Sequence, residues 1–162
     1  MEEEILFAEK QRFNQWWLWL ILLIGNGVAV LNIYKRHDLS HGIAPWIPIA
    51  ITALVTILIV SSQLNTRITQ SGIYVRFYPF HRKFRFYPWD AIQKLYLRKY
   101  SPIGEYGGFG IRYSGNGTAF NTSGNMGLQL ELQNNKRLLI GTKKAADLSL
   151  VLEKLNRLQQ GN

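Results

Sequence analysis

Residues 16–34, WWLWLILLIGNGVAVLNIY, decide the organisation of this chain. No charged residue occurs from Phe13 to Tyr34, and a helix of that length covers the roughly 30 Å of hydrocarbon in a bilayer. Three tryptophans lie at one end and a tyrosine at the other, as expected for side chains at the two membrane interfaces. The chain begins MEEE, whereas a cleavable signal peptide begins with basic residues. The stretch therefore predicts a transmembrane helix.

A second apolar run, IAPWIPIAITALVTILIV, covers residues 43–60. Its prolines fall in the first turn, where a helix tolerates them because those N–H groups have no intrahelical partner. The spans are predicted at about 16–34 and 43–61. Since only KRHDLSHG separates them, they form a tight antiparallel hairpin with both chain ends on one side. The predicted organisation is an N-terminal polar, interfacial segment at 1–12, a membrane hairpin at 13–63 and a soluble domain at 64–162.

The charge is distributed unevenly and predicts the sidedness. The chain carries a formal charge of +9, with 4 Lys/Arg against 5 Asp/Glu in residues 1–63 and 15 against 5 in residues 64–162. Lys35 and Arg36 in the turn favour a cytoplasmic loop, but four cations flanking the hairpin outnumber them. The flanking cations are Lys10, Arg12, Arg67 and Arg76. We expect an integral protein of the inner (cytoplasmic) membrane with both termini in the cytoplasm.

Asn26 lies well inside the first span, where an unpartnered amide is costly. Helix packing explains it: Gly25 and Ala29 allow close approach, and Asn26 bonds to Thr52 or Thr56 of the second span. A transport pathway is the competing interpretation. Because two helices cannot enclose a pore and neither span has an ionisable residue, transport requires an oligomer or a partner protein.

From Leu64 onward the apolar residues alternate with a period of two, which is typical of half-buried strands. After the last strand, the apolar positions change to a helical period and indicate an amphipathic helix that ends near Gly161. Its apolar face comprises Ala145, Leu148, Val151, Leu152, Leu155 and Leu158. The strands are predicted near residues 66–69, 73–78, 83–88, 92–99, 109–114, 118–122, 127–133 and 137–142.

Several segments resemble a group of small bacterial membrane proteins with two transmembrane helices followed by a pleckstrin-homology-like (PH-like) domain. They are EKQRFNQWWLW (9–19), TRITQSGIYVRFYPF (66–80), EYGGFGIRY (105–113), SGNMGLQLEL (123–132) and LLIGT (138–142). The resemblance implies a β-sandwich or barrel of about seven antiparallel strands closed by a C-terminal helix. It supplies no catalytic or binding residues.

The residues that usually carry chemistry are sparse, and we expect no catalytic, metal or cofactor site. There are no cysteines, which excludes disulfides, thiolate metal ligands and cysteine nucleophiles. His37 and His41 are four apart but occupy the short turn, which favours solvated side chains over metal ligands. Eight of the fourteen glycines fall between Gly104 and Gly127, where a strand follows rather than the helix that a phosphate loop needs. Bulges and strand bends explain this run.

The stretch FYPFHRKFRFYPWD, residues 77–90, mixes aromatic and basic side chains. It is predicted to form two strands joined by a turn, with core positions at Val75, Phe77, Phe84 and Phe86. Basic groups held close to a bilayer attract anionic headgroups, so we predict a lipid or partner contact, the competing interpretation being a solvated face. The predicted contact residues are Arg76, Arg82, Lys83, Arg85, Lys94, Arg98 and Lys99.

The pattern as a whole favours a non-enzymatic docking or assembly module anchored in the membrane. Its predicted contact residues would be oriented against anionic lipid or against a protein partner, including a second copy of the chain. An accessory subunit of a membrane transporter or enzyme, acting through its helical hairpin, is the alternative. Nucleic acid is a rival acidic partner on charge alone, but tethering to a membrane argues against it.

Overall fold

The computed structural model describes residues 3–13, 16–35 and 46–157. The chain divides into two compact units. One unit, residues 13–61, is a pair of helices, and the other, residues 1–12 and 62–162, is rich in β-structure. The turn between the helices and the tip of the C-terminal segment, including His37, His41, Leu158 and Gly161, lie outside the described residues.

The helical unit consists of α1 (Trp16–Lys35) and α2 (Ile47–Ser61). α1 has 20 residues and is long and apolar enough to cross a membrane, whereas α2 is an apolar helix of 15 residues. Half-buried side chains form one narrow stripe on each helix, at positions 18, 22, 26, 29 and 33 of α1 and 49, 52, 56 and 59 of α2. Spacings of three and four are those of a helix–helix seam. Most of the remaining helical surface is exposed and apolar.

The β-rich unit contains nine strands in the described part of the chain. Each of the eight predicted strands is present, and a ninth precedes α1. The first four are β1 (Ile5–Arg12), β2 (Gln63–Thr69), β3 (Gly72–Tyr78) and β4 (Arg85–Pro88). The others are β5 (Ile92–Lys99), β6 (Gly110–Ser114), β7 (Gly117–Asn121), β8 (Met126–Leu132) and β9 (Arg137–Gly141).

The first sheet has the order β1-β2-β3-β4, with every pair antiparallel. Residues 5–12 are therefore a strand of the folded unit and not the separate interfacial segment expected from sequence. The register joins Arg12 to Gln63 at one end of β1 and Ile5 to Thr69 at the other. Since β1 precedes α1 and β2 follows α2, both helices connect to the same end of this strand pair.

The second sheet has the order β5-β8-β9-β7-β6. Its neighbours are antiparallel except for β7 and β9, which run parallel over three residue pairs. The described part of the unit thus has nine strands and one parallel pair, where about seven antiparallel strands were expected. A short helix, α3 (Pro102–Tyr106), leads into β6.

Both sheets contribute buried apolar side chains, and polar side chains of β1 bond to residues of the second part of the unit. Fully buried apolar residues come from both sheets, among them Ile68, Phe77, Leu128 and Leu130. The buried carboxylate of Glu9 accepts hydrogen bonds from Thr142 Oγ1 (2.7 Å) and Lys143 N (2.9 Å). Gln11 Nε2 donates to Gly141 O at 2.7 Å, and Gln11 Oε1 accepts from Thr122 Oγ1 at 3.1 Å. Burial of these polar groups is tolerated because their polar atoms are paired.

The C-terminal helix α4 (Ala145–Lys154) is shorter than predicted. Leu148 and Leu152, one turn apart, supply its buried contacts. It ends because Asn156 adopts a left-handed conformation (φ 50°), and Arg157 N then donates to Leu152 O at 3.0 Å.

The glycine-rich run serves a helix end, a hairpin and loops, and the register shifts of the sheets lie elsewhere, at Ile5/Phe7 and Ile92/Lys94, so the predicted bulges do not explain it. All five glycines with positive φ among the described residues lie between 107 and 124. At Gly117 the φ of 108° coincides with close approach of the Arg137 backbone, so a Cβ would clash there.

Candidate functional surface

The outer face of the first sheet carries a group of cations that alternation and register bring together. Lys10 lies opposite Asn65, which lies opposite Arg76, so these residues form one row across β1, β2 and β3. Leu64 and Ile68 of β2 are fully buried, so the intervening Arg67 points to the other side of the sheet, where it is exposed. We call Lys10, Arg12, Arg67 and Arg76 the basic face.

Aromatic side chains lie among these cations. The guanidinium carbons of Arg67 and Arg76 are 4.7 Å and 4.6 Å from the centre of the Phe84 ring. Both distances are within the range of cation–π attraction. Tyr74 and Phe86 stack on the same face at 4.5 Å, with an interplanar angle of 27°. Val75 and Phe77 are core residues as predicted, but Phe84 and Phe86 belong to this outer face because β4 pairs Phe86 with Tyr74 and not with an inward residue.

The basic face is not neutralised by carboxylates in the described part of the chain. The ion pairs there involve other cations, namely Lys94, Arg98 and Arg137. Glu9 points inward, and Glu3 lies at the far end of the sheet, where its carboxylate accepts from Ser71 Oγ at 2.8 Å. This hydrogen bond lowers the pKa of Glu3. Glu3 thus lies at one end of the sheet, Lys10 and Arg12 lie toward the end that connects to the helices, and Arg67 and Arg76 lie between the two ends.

The loop between β3 and β4, residues 79–84, extends the basic end of the sheet. Arg82 and Lys83 are exposed there, as are Tyr78 and Phe80. Arg85 differs from its prediction: it pairs with the inward residue Val75, and its guanidinium carbon lies 5.9 Å from the centre of the Phe120 ring.

The other three predicted contact residues, Lys94, Arg98 and Lys99, lie on β5 in the second sheet. The structure therefore does not bring the seven predicted contact residues together on one face. Arg98 is held by Glu105 (2.8 Å), by Gln129 Oε1 (3.0 Å) and by the Tyr106 hydroxyl (3.3 Å). The hydrogen bond from Arg98 keeps the pKa of Glu105 below its usual value. Lys94 Nζ is 4.0 Å from Glu131, and Lys99 is exposed.

A polar cleft of about 330 Å³ lies on this side of the second sheet. Its walls include Arg98, Glu105 and Gln129, which are bound to one another, and Arg137. Among residues 3–13, 16–35 and 46–157, no group of three His, Asp or Glu side chains is placed to hold a metal ion. Glu105, Gln129 and Tyr106 are each paired with Arg98.

In the helical unit, Thr52 Oγ1 donates to Asn26 Oδ1 at 2.8 Å, one of the two partners predicted for this amide. Asn26 Nδ2 donates to Leu22 O, and Thr56 Oγ1 donates to Thr52 O, both within their own helices. Ala29 is half-buried in the seam. Gly25 is not: it is exposed, and no atom outside its own stretch of helix backbone lies within 4 Å of where its Cβ would be, so close approach does not depend on it.

Sequence reasoning missed that Lys10, Arg12 and Arg67 share a face with Arg76, because it did not recognise β1 as a strand. The signal was present in ILFAEKQR, where Phe7, Glu9 and Gln11 alternate with outward residues. Two of those three inward residues are polar, so the alternation of apolar and polar side chains is hidden.

Comparisons of the chain with protein-family models, with curated proteins and with solved structures gave no match. What the basic face can do follows from its chemistry. Guanidinium and ammonium groups bind phosphate and carboxylate oxygens, and exposed aromatic rings are suited to a boundary between water and an apolar phase.

Proposed function

We propose that this protein is a membrane-anchored docking module: a two-span helical hairpin holds a PH-like domain at the cytoplasmic side of the inner membrane, with the basic face against anionic lipid headgroups. The observation that carries the proposal is the unneutralised basic face, of which Lys10 and Arg12 lie toward the strand end that connects to both helices. Each Lys or Arg held at an anionic surface contributes about 1 kcal/mol of attraction.

The pairing of β1 with β2 supports two crossings. Strands before α1 and after α2 share one ladder, so residues 12 and 63 are on the same side of any membrane that the chain crosses. An odd number of crossings would separate them. If α1 spans, the chain must return, and α2 with the apolar residues 43–46 before it is the segment available. Fifteen helical residues extend about 22 Å, so the return span would need those preceding residues.

The sidedness rests on the same cations as the basic face. Lys10, Arg12, Arg67 and Arg76 flank the hairpin, against Lys35 and Arg36 in its turn. An excess of Lys and Arg marks the cytoplasmic side, and the inner leaflet surface there is negatively charged.

The PH-like assignment is supported by the order of the elements: strands that form two sheets, followed by a C-terminal helix. The nine strands and the parallel β7–β9 pair are departures from the simple antiparallel pattern. A scaffold of this kind does not define a ligand, so the functional proposal rests on the basic face.

The test is lipid selectivity of the full-length protein. After extraction from bilayers containing equal amounts of phosphatidylglycerol and phosphatidylcholine into polymer nanodiscs, the retained lipid should be enriched in phosphatidylglycerol. The variant Lys10→Gln/Arg12→Gln/Arg67→Gln should lose the enrichment. The matched control Lys94→Gln/Lys99→Gln/Arg112→Gln removes the same formal charge from the second sheet and should retain it. Equal enrichment in both variants, or none in the wild type, would contradict the proposal.

Exchange of residues 13–61 for an unrelated two-span anchor separates this proposal from an accessory subunit that acts through its helices. Retained lipid selectivity is expected, because the amide of Asn26 bonds within the hairpin and the basic face lies outside it. Loss of selectivity in a correctly inserted chimera would favour a role for the helices themselves.

A further inference from the structure

We propose that the β3–β4 loop, residues 79–84, is a membrane-insertion element in which Phe80 enters the interfacial region of the bilayer while Arg82 and Lys83 contact anionic headgroups. This inference rests on the proposed membrane anchoring and adds a third attachment point to the two helices. It concerns an apolar contact, which the basic face alone does not provide.

Chain connectivity brings the loop to the end of the first sheet at which the chain continues from α2. Gln63 follows the last residue of α2 by two positions and pairs with Tyr78, the last residue of β3. Two extended residues and one strand spacing limit the separation between Ser61 and Tyr78 to about 12 Å. The loop begins directly after Tyr78, at the strand end that pairs with Gln63, where the chain has just left its second apolar helix.

The side chains of the loop suit an interface between water and lipid. Phe80 is 64% exposed and Tyr78 is 40% exposed, although both are large aromatic residues. Phe80 touches the core only at its margin, with its ring centre 6.2 Å from that of Phe77. Arg82 and Lys83 follow at once and are exposed. An aromatic residue beside cations is the pattern found where a protein meets lipid headgroups.

The loop has a defined shape that presents Phe80 outward. His81 N donates to Phe77 O at 2.7 Å, which closes the turn. The His81 ring packs edge-on against Phe120 at 5.3 Å, and Phe84 is held between Arg67 and Arg76. Both ends of the loop are thus fixed to the domain, so insertion of Phe80 needs little ordering of the chain.

The absence of cysteine allows a direct test in the full-length chain. A single cysteine is introduced as Phe80→Cys and, as a matched control, as Gln70→Cys. Gln70 is exposed in the turn at the opposite end of the same sheet, about 20 Å away along β3. Each variant carries an environment-sensitive fluorophore and is reconstituted into nanodiscs of phosphatidylglycerol and phosphatidylcholine.

Spin-labelled lipid should quench the probe at position 80 several-fold more than the probe at position 70, and aqueous iodide should show the reverse order. Equal iodide quenching at the two positions would overturn the proposal, as would a probe at position 80 shielded from both quenchers, which would indicate a protein contact. A second series keeps Phe80 and places the cysteine at Arg82, so that loss of the aromatic ring cannot explain a negative result. Because lipid enrichment is measured separately, the insertion element can fail while the anionic contact of the basic face stands.

Discussion

The outer faces of the two sheets carry cations in opposite settings. On the second sheet, Arg98 bonds to Glu105, Gln129 and Tyr106, and Glu131 lies close to Lys94 and Arg137. On the first sheet, Arg67 and Arg76 make cation–π contacts with the ring of Phe84 and no ion pair with a carboxylate among the described residues. The difference shows that similar sequence signals, basic residues alternating along strands, serve internal structure in one sheet and leave free charge in the other.

The largest change in the free energy of unfolding is expected from residues of β1 that bond to the segment after β9. Glu9→Ala leaves the Thr142 hydroxyl and the Lys143 amide without their buried partner, so we expect the free energy of unfolding to fall by about 3 kcal/mol. Lys10→Ala, on the same strand but pointing outward, should change it by less than about 0.5 kcal/mol. Chemical denaturation of the detergent-solubilised chain, followed by circular dichroism, measures both. Similar losses would show that the two faces of β1 are assigned wrongly.

The next largest change in the free energy of unfolding is expected from a comparison of one arginine from each sheet. Arg98→Ala removes partners from Glu105 and Gln129, and we expect a loss of about 2 kcal/mol in the free energy of unfolding. Arg67→Ala should cost less than about 0.5 kcal/mol, because it breaks no ion pair among the described residues. The same denaturation experiment applies. An equal loss in Arg67→Ala would mean that the basic face is a structural network like that around Arg98.

A smaller, pH-dependent effect should come from Glu105. Its pKa is lowered by the hydrogen bond from Arg98, so the folded state binds the proton less readily than the unfolded state. Its contribution is present at neutral pH and disappears as the pH falls through the folded-state pKa. Glu105→Gln should lower the free energy of unfolding by about 1 kcal/mol at pH 7, and the difference from wild type should shrink below about pH 4. A difference that is independent of pH would exclude the ion pair as its cause.

The smallest effect is expected at His81, beside the first sheet. Partial burial, followed by the charge of Arg85, lowers the pKa of this side chain. The unfolded state therefore takes up the proton first, and stability is lost as the pH falls below about 6.5. His81→Gln should reduce the fall in the free energy of unfolding between pH 7 and pH 5 by a few tenths of a kcal/mol. The other two histidines are present in both proteins and serve as an internal control.

The sequence predicts the strands of this domain well but their faces only in part. Ile73, Val75 and Phe77 alternate with polar residues, and all three are buried as expected. After the β3–β4 loop the same reasoning fails at Phe84 and Phe86, since loop length and register determine which side chains of β4 face inward. Alternation identifies a strand, whereas its register depends on partners elsewhere in the fold.

The predicted contact residues illustrate a second limit. Arg76, Arg82 and Lys83 do lie at one end of the first sheet, while Arg98 is a structural residue of the second. Glu105 and Gln129, which bind Arg98, are 7 and 31 residues away in sequence, so local pattern could not reveal them. Charge counts detect basic surface, but tertiary contacts decide which cations remain available.

The β1–β2 ladder also sets an order of events during synthesis. The first strand leaves the ribosome about fifty residues before its partner, with both apolar helices between them. Its inward carboxylate meets Thr142 and Lys143 later still, near the end of translation. The N-terminal strand therefore has no β2 partner until both helices have been synthesised. The first sheet can be completed only after residues 5–12 and 63–69 have come together on one side.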